Sequence, residues 1–324
     1  MKSADKSISA KPFVKWAGGK TQLLNAFKKY YPKALEEGKI DRYIEPFVGS
    51  GAVLFDVMQR FKIKEAYIFD INPELITTYR VIKKDVEALI SYLKELESKY
   101  LGLEKEQRKK FYYSVREDYN RNKLDFTSAD YSERAIEIAG SFLFLNKTCF
   151  NGLFRVNRRG LFNVPMGRYK KPTICNETNL RNVSKVLQNV LAFYGDFSAC
   201  KKYINEKSFV YFDPPYKPLN VTSNFTSYSM DAFSDQEQIR LANFYSEVDK
   251  KSAYLMLSNS DPKNVNENDN FFDELYQDFN IFNVQAKRVI NSKASQRGEI
   301  SELIITNYNC FLEGREEYER CEIL

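Results

Sequence analysis

Short apolar runs alternate with helical stretches in two blocks of the chain, and this alternation constrains the fold more than any other feature. In the first block, "RYIEPFVGSGAVLFDVMQRF" (residues 42–61) predicts a strand, a glycine turn and a helix, and "EAYIFDIN" (65–72) predicts a second strand that ends at Asp70. The second block contains five more strand-like runs and a helix from Ser234 to about Val248. Strands that alternate with helices predict an α/β fold with a mostly parallel, doubly wound sheet.

The segment between the two blocks has a different character. Residues 83–122 are rich in Lys, Glu and Leu and predict solvated amphipathic helices, and residues 131–146 predict another helix with apolar positions at helical spacing. The next stretch, "NGLFRVNRRGLFNVPMGRY", alternates apolar and polar residues around Arg159-Gly160. This pattern predicts a β-hairpin or a long ordered loop.

No aspartate or glutamate occurs between Ile138 and Asn176, although the chain has 43 acidic residues. The same stretch interleaves basic side chains with aromatic ones. These side chains are Phe142, Phe144, Lys147, Phe150, Phe154, Arg155, Arg158, Arg159, Phe162, Arg168, Tyr169, Lys170 and Lys171. Such a surface is typical of nucleic-acid binding, and a chance fluctuation in composition is the alternative. The net charge of +6 is by itself only a weak indication.

Several classes of site are excluded by composition. The chain has no histidine, which rules out a Ser-His-Asp triad and a histidine-bound metal. The five cysteines form no CxxC pair, so we expect no metal site and reduced thiols, as in a cytoplasm. The polar start predicts no signal peptide, and no apolar run approaches the roughly 20 residues that span a bilayer.

The stretch "EPFVGSGAVLFD" lies at a predicted strand-to-helix turn. Gly49 and Gly51 permit a tight turn and a close approach of the backbone to a ligand. Asp70, at the end of the next strand, can accept hydrogen bonds from two ribose hydroxyls. Leu54 stands where a dinucleotide fingerprint needs a third glycine, and the chain has no phosphate-binding loop of the GxxxxGK[ST] type. The pattern therefore favours S-adenosylmethionine over NAD or ATP.

A second glycine turn, "PFVKWAGGK" (12–20), contains Trp16, the only tryptophan. Lys20 could pair with the carboxylate of a methionine moiety; a surface turn beside a buried tryptophan is the alternative.

In "SFVYFDPPYK" (208–217), an apolar strand ends in Asp213 and two prolines. Prolines cannot donate to a sheet and restrict the residue before them, so a rigid carbonyl lies beside the acid. A plain strand-ending turn is the alternative.

In this order, "KWAGGK", "EPFVGSGAVLFD", a basic insert, "YGDF" and "DPPY" resemble the Dam-type DNA adenine-N6 methyltransferases, the α group of the amino-methyltransferases. "NGLFRVN" and "FNVPMGRYKKP" look like the target-recognition segment of that family, and "LSNS" and "QRGEISELIITNY" look like its C-terminal elements. The resemblance covers roughly residues 12–309.

The resemblance implies a Rossmann-like S-adenosylmethionine-dependent methyltransferase sheet with an inserted, mainly helical target-recognition domain that carries a β-hairpin. The implied catalytic domain comprises residues 1–74 and 177–324, and the recognition domain comprises residues 75–176. S-adenosyl-L-methionine is the implied methyl donor, and the implied acceptor is adenine N6 in double-stranded DNA. GATC is the implied target, although other family members read other sites.

The family motifs also imply roles for individual residues. The implied catalytic residues are Asp213, Pro214, Pro215 and Tyr216. The implied cofactor contacts are Trp16, Lys20, Glu45, Pro46, Phe47, Gly49, Gly51, Asp70, Asp196, Phe197 and Asp213. The implied DNA contacts are Lys15, Phe150, Asn151, Leu153, Arg155, Pro165 and Arg168. Phe150 stands where relatives often carry a tyrosine that wedges into the base stack.

Two other classes of function remain as alternatives. One is an amino-methyltransferase that acts on cytosine N4, RNA or a protein amide. Asp213 argues against it, because cytosine-N4 relatives more often have Ser before the prolines and protein-glutamine relatives have Asn. The other is a non-catalytic DNA-binding protein, in which an eroded "DPPY" would be expected.

The resemblance further implies a cytoplasmic, nucleoid-associated enzyme of bacterial or phage origin. It could pair functionally with a restriction endonuclease, and no obligate protein partner is expected.

Overall fold

The fold is known from a computed structural model that describes residues 9–16, 18–123, 132–217, 233–287 and 299–310. The strands within these residues are β1 (Arg42–Glu45), β2 (Glu65–Asp70), β3 (Val190–Tyr194), β4 (Ser208–Phe212), β5 (Tyr254–Ser260), β6 (Asn280–Lys287) and β7 (Glu299–Thr306). They form one sheet in the order β3-β2-β1-β4-β5-β7-β6.

The first five strands of the sheet are parallel, and β7 is antiparallel to both of its neighbours, β5 and β6. The predicted mostly parallel α/β sheet is thereby confirmed. Ile44 of β1 pairs with Tyr67 on one side and with Val210 on the other. The chain order of the strands reverses between β1 and β4, and ligands of open α/β sheets bind beyond the carboxyl ends of the strands at such a point.

The helices within the described residues flank the sheet. They are α1 (Leu24–Phe27), α2 (Lys33–Glu36), α3 (Ala52–Arg60), α4 (Pro73–Lys84), α5 (Val86–Gly102), α6 (Lys105–Lys123), α7 (Glu133–Thr148), α8 (Glu177–Val186), α9 (Asp235–Asp249) and α10 (Phe271–Leu275). The helices predicted at 83–122, 131–146 and from Ser234 to about Val248 are confirmed. Ser234 caps α9, because its hydroxyl accepts a hydrogen bond from the Glu237 N–H (3.4 Å). None of the described helices has the length and apolarity needed to cross a lipid bilayer.

Side chains of β4 alternate between two apolar cores, one on each face of the sheet. Phe209 and Tyr211 belong to the core that includes α3 to α8, whereas Val210 and Phe212 pack towards α9. Every residue of this strand is buried, as expected for the centre of a parallel sheet covered on both faces. Helix α7 is apolar on most of its surface because it lies against α4, α5 and α6.

The stretch around Arg159-Gly160 forms less regular structure than the predicted hairpin. Its strand pairing is a single antiparallel bridge between Val156 and Phe162, closed by a turn in which the Gly160 N–H donates to the Asn157 carbonyl (2.8 Å). Side chains of α6 bond the backbone groups of this loop that point away from the paired segment. Asn120 exchanges two hydrogen bonds with the backbone of Phe162 (2.8 and 3.0 Å). The sequence therefore forms an ordered loop with a minimal hairpin.

The predicted boundary between residues 74 and 75 falls inside α4, which contacts α7 as well as β2 and β3. The division into a catalytic and a recognition domain stays a prediction.

Candidate active site

Acidic residues follow or end four neighbouring parallel strands. Glu45 ends β1, Asp70 ends β2, Asp196 follows β3 and Asp213 follows β4. Because these strands are parallel, all four carboxyl groups lie at the same edge of the sheet. This edge includes the reversal point between β1 and β4, where a ligand is expected.

Asp70 holds the glycine turn that joins β1 to α3. Its Oδ2 accepts a hydrogen bond from the Gly49 N–H (3.0 Å), and its Oδ1 accepts one from the Asn72 N–H (2.9 Å). The Tyr79 hydroxyl donates to the Gly49 carbonyl (3.0 Å), so the turn is fixed from two sides. Burial raises the pKa of Asp70 to about 6, although the backbone donors oppose this shift. A carboxylate has about four acceptor positions, so Asp70 can bind the turn and still accept ribose hydroxyls.

Trp16 connects the glycine turn with the loop that follows α7. A Cβ atom on Gly49 would lie 2.9 Å from the Trp16 ring, which shows how closely the indole covers this turn. Trp16 also stacks on Phe154, with ring centroids 5.7 Å apart, and contacts Phe142 of α7 at 6.3 Å. The tryptophan that the sequence suggested as a cofactor contact therefore touches both the turn and the exposed loop.

An aromatic pair and an ion pair border the site on the side of β3. The rings of Phe47 and Phe197 lie 5.3 Å apart. Arg240 of α9 forms a two-pronged bond with Asp196 (3.0 and 2.7 Å), and its guanidinium lies 4.0 Å from the centre of the Phe197 ring. The Arg240 bond lowers the pKa of Asp196 to about 2, so this carboxylate is ionised at any physiological pH.

Asp213 pairs with Lys20 inside the edge of the sheet. The Lys20 Nζ lies 2.7 Å from Asp213 Oδ1, and the Ser258 hydroxyl donates to the same oxygen (3.2 Å). Lys20 also donates to the Gly18 carbonyl (2.9 Å) and is only 3% exposed. Burial raises the pKa of Asp213, and Lys20 opposes this shift. The sequence suggested that Lys20 contacts the cofactor; here its ammonium group contacts Asp213, and a cofactor contact stays a prediction.

Glu45 and Pro46 are buried behind this ion pair. The Tyr43 hydroxyl donates to Glu45 (2.8 Å), and burial raises the pKa of the Glu45 carboxyl well above its usual range. Nearby charges act on Glu45 in opposite directions, since Asp213 raises its pKa and Lys20 lowers it. Glu45 therefore lies within electrostatic range of both members of the ion pair, and its own hydrogen bond comes from Tyr43. Contact of Glu45 and Pro46 with a cofactor stays a prediction.

Two residues that the sequence did not single out hold the backbone after Asp213. The Gln238 side chain donates to the Pro215 carbonyl (3.1 Å), and Asn259 donates to the Gln238 side-chain oxygen (3.1 Å). Both side chains are buried. The signal for Asn259 in the sequence was "LSNS", a polar run at the end of an apolar strand, which the family resemblance included without a role for this residue. Gln238 lies in the helical pattern of α9 and had no such signal.

The ring of Tyr216 has contacts on its face and at its hydroxyl. The Lys20 Nζ lies 4.3 Å from the centre of the ring. The Tyr216 hydroxyl donates to the Glu302 carboxylate (2.5 Å), and Glu302 lies on β7. Glu302 lies within "QRGEISELIITNY", but its role had no signal in the sequence, because it is distant from Tyr216 in the chain and stands in an ordinary strand pattern.

The side chains suggested as DNA contacts are all exposed. They are Lys15, Phe150, Asn151, Leu153, Arg155, Pro165 and Arg168. Buried Asn146 joins two of the segments that carry them. Its side chain accepts a hydrogen bond from the Lys15 N–H and donates one to the Lys15 carbonyl (2.8 Å each), and its amide group also donates to the Gly152 carbonyl (3.1 Å). The Phe150 N–H donates to the Pro165 carbonyl (2.9 Å), which brings in the third segment.

Two apolar side chains stand out on this exposed surface. Phe150 is 48% exposed and Leu153 is 42% exposed, although both lie among basic residues. The Nε of Arg155 donates to Asn163 (2.8 Å), so the two Nη groups of the guanidinium can form a fork towards a ligand. An exposed basic surface with apolar wedges suits contact with nucleic acid.

Comparisons with known proteins agree on one family. The family described as "D12 class N6 adenine-specific DNA methyltransferase" matches residues 16–290. A protein named type II methyltransferase M.MjaIII, from Methanocaldococcus jannaschii, is 53% identical over 93% of this chain and 100% of its own length. A type II methyltransferase from Lactococcus lactis subsp. cremoris is 37% identical over 93% of this chain and 96% of its own. A DNA adenine methylase from Escherichia coli is 32% identical over 90% of this chain and 93% of its own.

The glycine turn provides a matched test of close packing. Gly51 and Gly160 have left-handed backbones (φ 71° and 73°), but only at Gly51 would a Cβ atom overlap a neighbour, 2.5 Å from the Tyr79 hydroxyl. Both alanine variants incur backbone strain of about 1–2 kcal/mol. We expect Gly51→Ala to lose about 1–3 kcal/mol more, because buried Tyr79 must move. Urea denaturation measures both, and equal losses would show that Tyr79 does not confine the turn.

Proposed function

Since the chain belongs to the D12 class of N6 adenine-specific DNA methyltransferases, we propose that it transfers a methyl group from S-adenosyl-L-methionine to adenine N6 in a specific duplex DNA site. The observation that supports this proposal best is the position of Asp213. Its carboxylate lies at the reversal point of the sheet, beside two prolines and across from the turn held by Asp70.

The residues at the edge of the sheet fit this methyl donor. The close cover of Gly49 by Trp16 leaves the turn no room for a side chain. Asp70 offers acceptors for ribose hydroxyls, and Phe47, Phe197 and ionised Asp196 offer apolar faces and an acceptor for an adenine ring with its amino group. When bound, the sulfonium group supplies an activated methyl group, so alignment is most of the work that remains for the protein.

Adenine N6 is a poor nucleophile because its lone pair is delocalised into the ring. We assign the acceptance of its two hydrogens to the Asp213 carboxylate and the Pro214 carbonyl. Two fixed acceptors favour a more tetrahedral nitrogen and stabilise the positive charge that develops on it. Lys20 and Ser258 both bond Asp213 Oδ1, so we assign Oδ2 to the substrate.

An adenine inside a duplex cannot reach a carboxylate at the edge of the sheet, so the proposed reaction requires base flipping. We assign Tyr216 to stack on the extruded adenine, since its ring follows the acceptor pair directly in the chain. Exposed Phe150 is assigned to fill the space that the extruded base leaves in the duplex.

We propose that residues 75–176 form the target-recognition domain and that the site is GATC. The exposed side chains near Arg155 support DNA contact, and the similarity to a protein named DNA adenine methylase supports adenine as the methylated base. Two relatives are named type II methyltransferases, which supports a functional pairing with a restriction endonuclease. Because its substrate is DNA, we place the enzyme in the compartment that holds the DNA of the cell.

The proposal is tested by transfer of a labelled methyl group from S-adenosyl-L-methionine to duplex oligonucleotides. One duplex contains GATC, and others differ from it at single positions. We expect label on adenine N6 of the GATC duplex, at a rate well above that of every other duplex. Label on a different sequence would correct the target site alone. Label on cytosine, or on no duplex, would contradict the proposed reaction.

Asp213→Ala tests the acceptor role. We expect its methyl-transfer rate to fall by on the order of 10²–10³ or more, because a preorganised acceptor is removed from the reacting nitrogen. Asp235→Ala is the control, since it removes an exposed aspartate that pairs with Lys217. Circular dichroism and DNA binding verify that both variants are folded. An Asp213→Ala rate within tenfold of the wild-type rate would rule out the assignment.

The pKa of Asp70 predicts the pH dependence of cofactor binding. Only ionised Asp70 can accept both ribose hydroxyls, and its carboxyl has a pKa of about 6 in the free protein. Below this pKa the ionised fraction falls, so we expect the affinity for S-adenosylhomocysteine to fall by up to about tenfold per pH unit. Calorimetry between pH 5 and 7.5 measures it. Asp70→Asn should bind more weakly and without this slope; the same slope in both proteins would assign the titration to another group.

Arg155 and Arg168 are expected to have different roles. Arg155→Ala should relax discrimination at one base pair by roughly 1–3 kcal/mol, because a guanidinium fork matches guanine O6 and N7. Arg168→Ala should weaken binding about equally on every duplex and lower the salt slope by about one phosphate contact. Methylation rates on single-position duplex variants at two salt concentrations measure both. If Arg155→Ala slows every duplex by one factor, Arg155 does not read a base.

A further inference from the structure

Tyr216 is held at both ends by residues from distant parts of the chain. Gln238 of α9 bonds the Pro215 carbonyl, which belongs to the peptide group that leads into Tyr216. Glu302 of β7 accepts the hydrogen bond from the Tyr216 hydroxyl (2.5 Å). The bonds at the backbone and at the hydroxyl fix the two ends of the long axis of the ring. Rotation about that axis is restricted on one face by the Lys20 Nζ, 4.3 Å from the ring centre.

The antiparallel strand β7 accounts for the position of Glu302. Strand β7 pairs with β5, and in this register Glu302 lies opposite Ser260, the last residue of β5. Because β7 runs in the opposite direction, a residue near its beginning lies at the same edge of the sheet as the carboxyl ends of β4 and β5. Glu302 is thus the residue of the added strand that reaches the edge where Asp213 and Tyr216 lie.

We infer that Glu302 is a positioning residue, which anchors the far end of the Tyr216 ring at the place where the extruded adenine stacks. This inference rests on the proposed function, in which Tyr216 contacts the target base. Glu302 acts through Tyr216 and does not touch the reacting atoms. Its carboxylate also faces Lys20, whose charge opposes the rise in the Glu302 pKa that burial causes.

The geometry separates this role from two others. If Glu302 acted by its charge alone, an uncharged amide in its place would be as harmful as a complete truncation. If it merely stabilised β7, removal of the Tyr216 hydroxyl would have little effect. Glu302→Gln keeps an acceptor oxygen for the hydroxyl but removes the charge, and Tyr216→Phe removes the bond without altering β7.

The test compares Glu302→Ala, Glu302→Gln, Tyr216→Phe and the double variant Tyr216→Phe/Glu302→Ala in single-turnover methyl transfer on a GATC duplex. We expect Glu302→Ala and Tyr216→Phe to be slower by about 10- to 100-fold each, the effect of a lost hydrogen bond to a charged group. The double variant should be no slower than Tyr216→Phe, because both single changes break the bond between Tyr216 and Glu302, and Tyr216→Phe also removes the contact of the hydroxyl with Ser258. Glu302→Gln should stay within about threefold of the wild-type rate.

Two further measurements separate positioning from a loss of structure. Affinity for S-adenosylhomocysteine should be unchanged in all variants. With 2-aminopurine in place of the target adenine, the bound duplex should be brighter with Glu302→Ala than with the wild type, because a loosened ring stacks less on the extruded base. Glu247→Ala, which removes an exposed glutamate of α9, is the control for the type of substitution and should match the wild type.

Three results would overturn the inference: additive losses in the double variant, a Glu302→Gln rate as low as that of Glu302→Ala, or wild-type rates in both single variants that break the bond. If Glu302→Ala does not fold, Tyr216→Phe alone tests the inference, and a wild-type rate of Tyr216→Phe overturns it.

Tyr216→Ala distinguishes failure of this inference from failure of the proposed function. If Tyr216→Ala is fully active, the stacking role of Tyr216 is wrong; if it is inactive while Tyr216→Phe is unaffected, only the role of Glu302 is wrong.

Discussion

Parallel pairing of β1 with β2 and β4 is the constraint on which the rest of the site depends. It places the ends of three strands at one edge, and the sharp turns that leave them carry the chemistry. The turn after β1 is closed by a carboxylate from the end of β2, through the bond between Gly49 and Asp70. A shift in the register of β2 would therefore open the turn as well as move the carboxylate.

Charge is distributed unevenly at this edge. Burial raises the pKa values of Glu45, Asp213 and Glu302, and the same ammonium group, that of Lys20, opposes the rise in each case. A buried carboxylate without a counter-ion would be strongly destabilising, so Lys20 makes an ionised Asp213 compatible with its position. The edge still has more acidic than basic groups around Lys20, which suits a cationic methyl donor and a nitrogen that becomes positive during the reaction.

The sequence predicted those parts of the fold that local pattern determines. The strands around Ile44 and Val210 are apolar runs of the right length, and the glycine turn with Asp70 follows from a spacing within one strand-turn-helix unit. Three contacts could not be predicted: Arg240 with Asp196, Gln238 with Pro215, and Glu302 with Tyr216. Each joins elements that the chain brings together only after the sheet has formed, and a lone Arg, Gln or Glu in an amphipathic pattern looks like any solvated residue. The contact of Lys20 with Asp213 could not be predicted for a related reason, because spacing places Lys20 at the site but does not show which carboxylate lies beside it.

The segment "KWAGGK" shows how little chain separates the functions. Lys15 faces outward on the surface with Arg155, Trp16 lies against the Gly49 turn, and Lys20 reaches Asp213. Asn146 of α7 fixes the start of this segment by bonding both backbone groups of Lys15. Lys15, Trp16 and Lys20 belong to one short segment, so their contacts keep the exposed surface, the turn and the Asp213 carboxylate close to one another. Base recognition and methyl transfer must occur on one duplex at a fixed separation, and a segment this short is a direct way to maintain that separation.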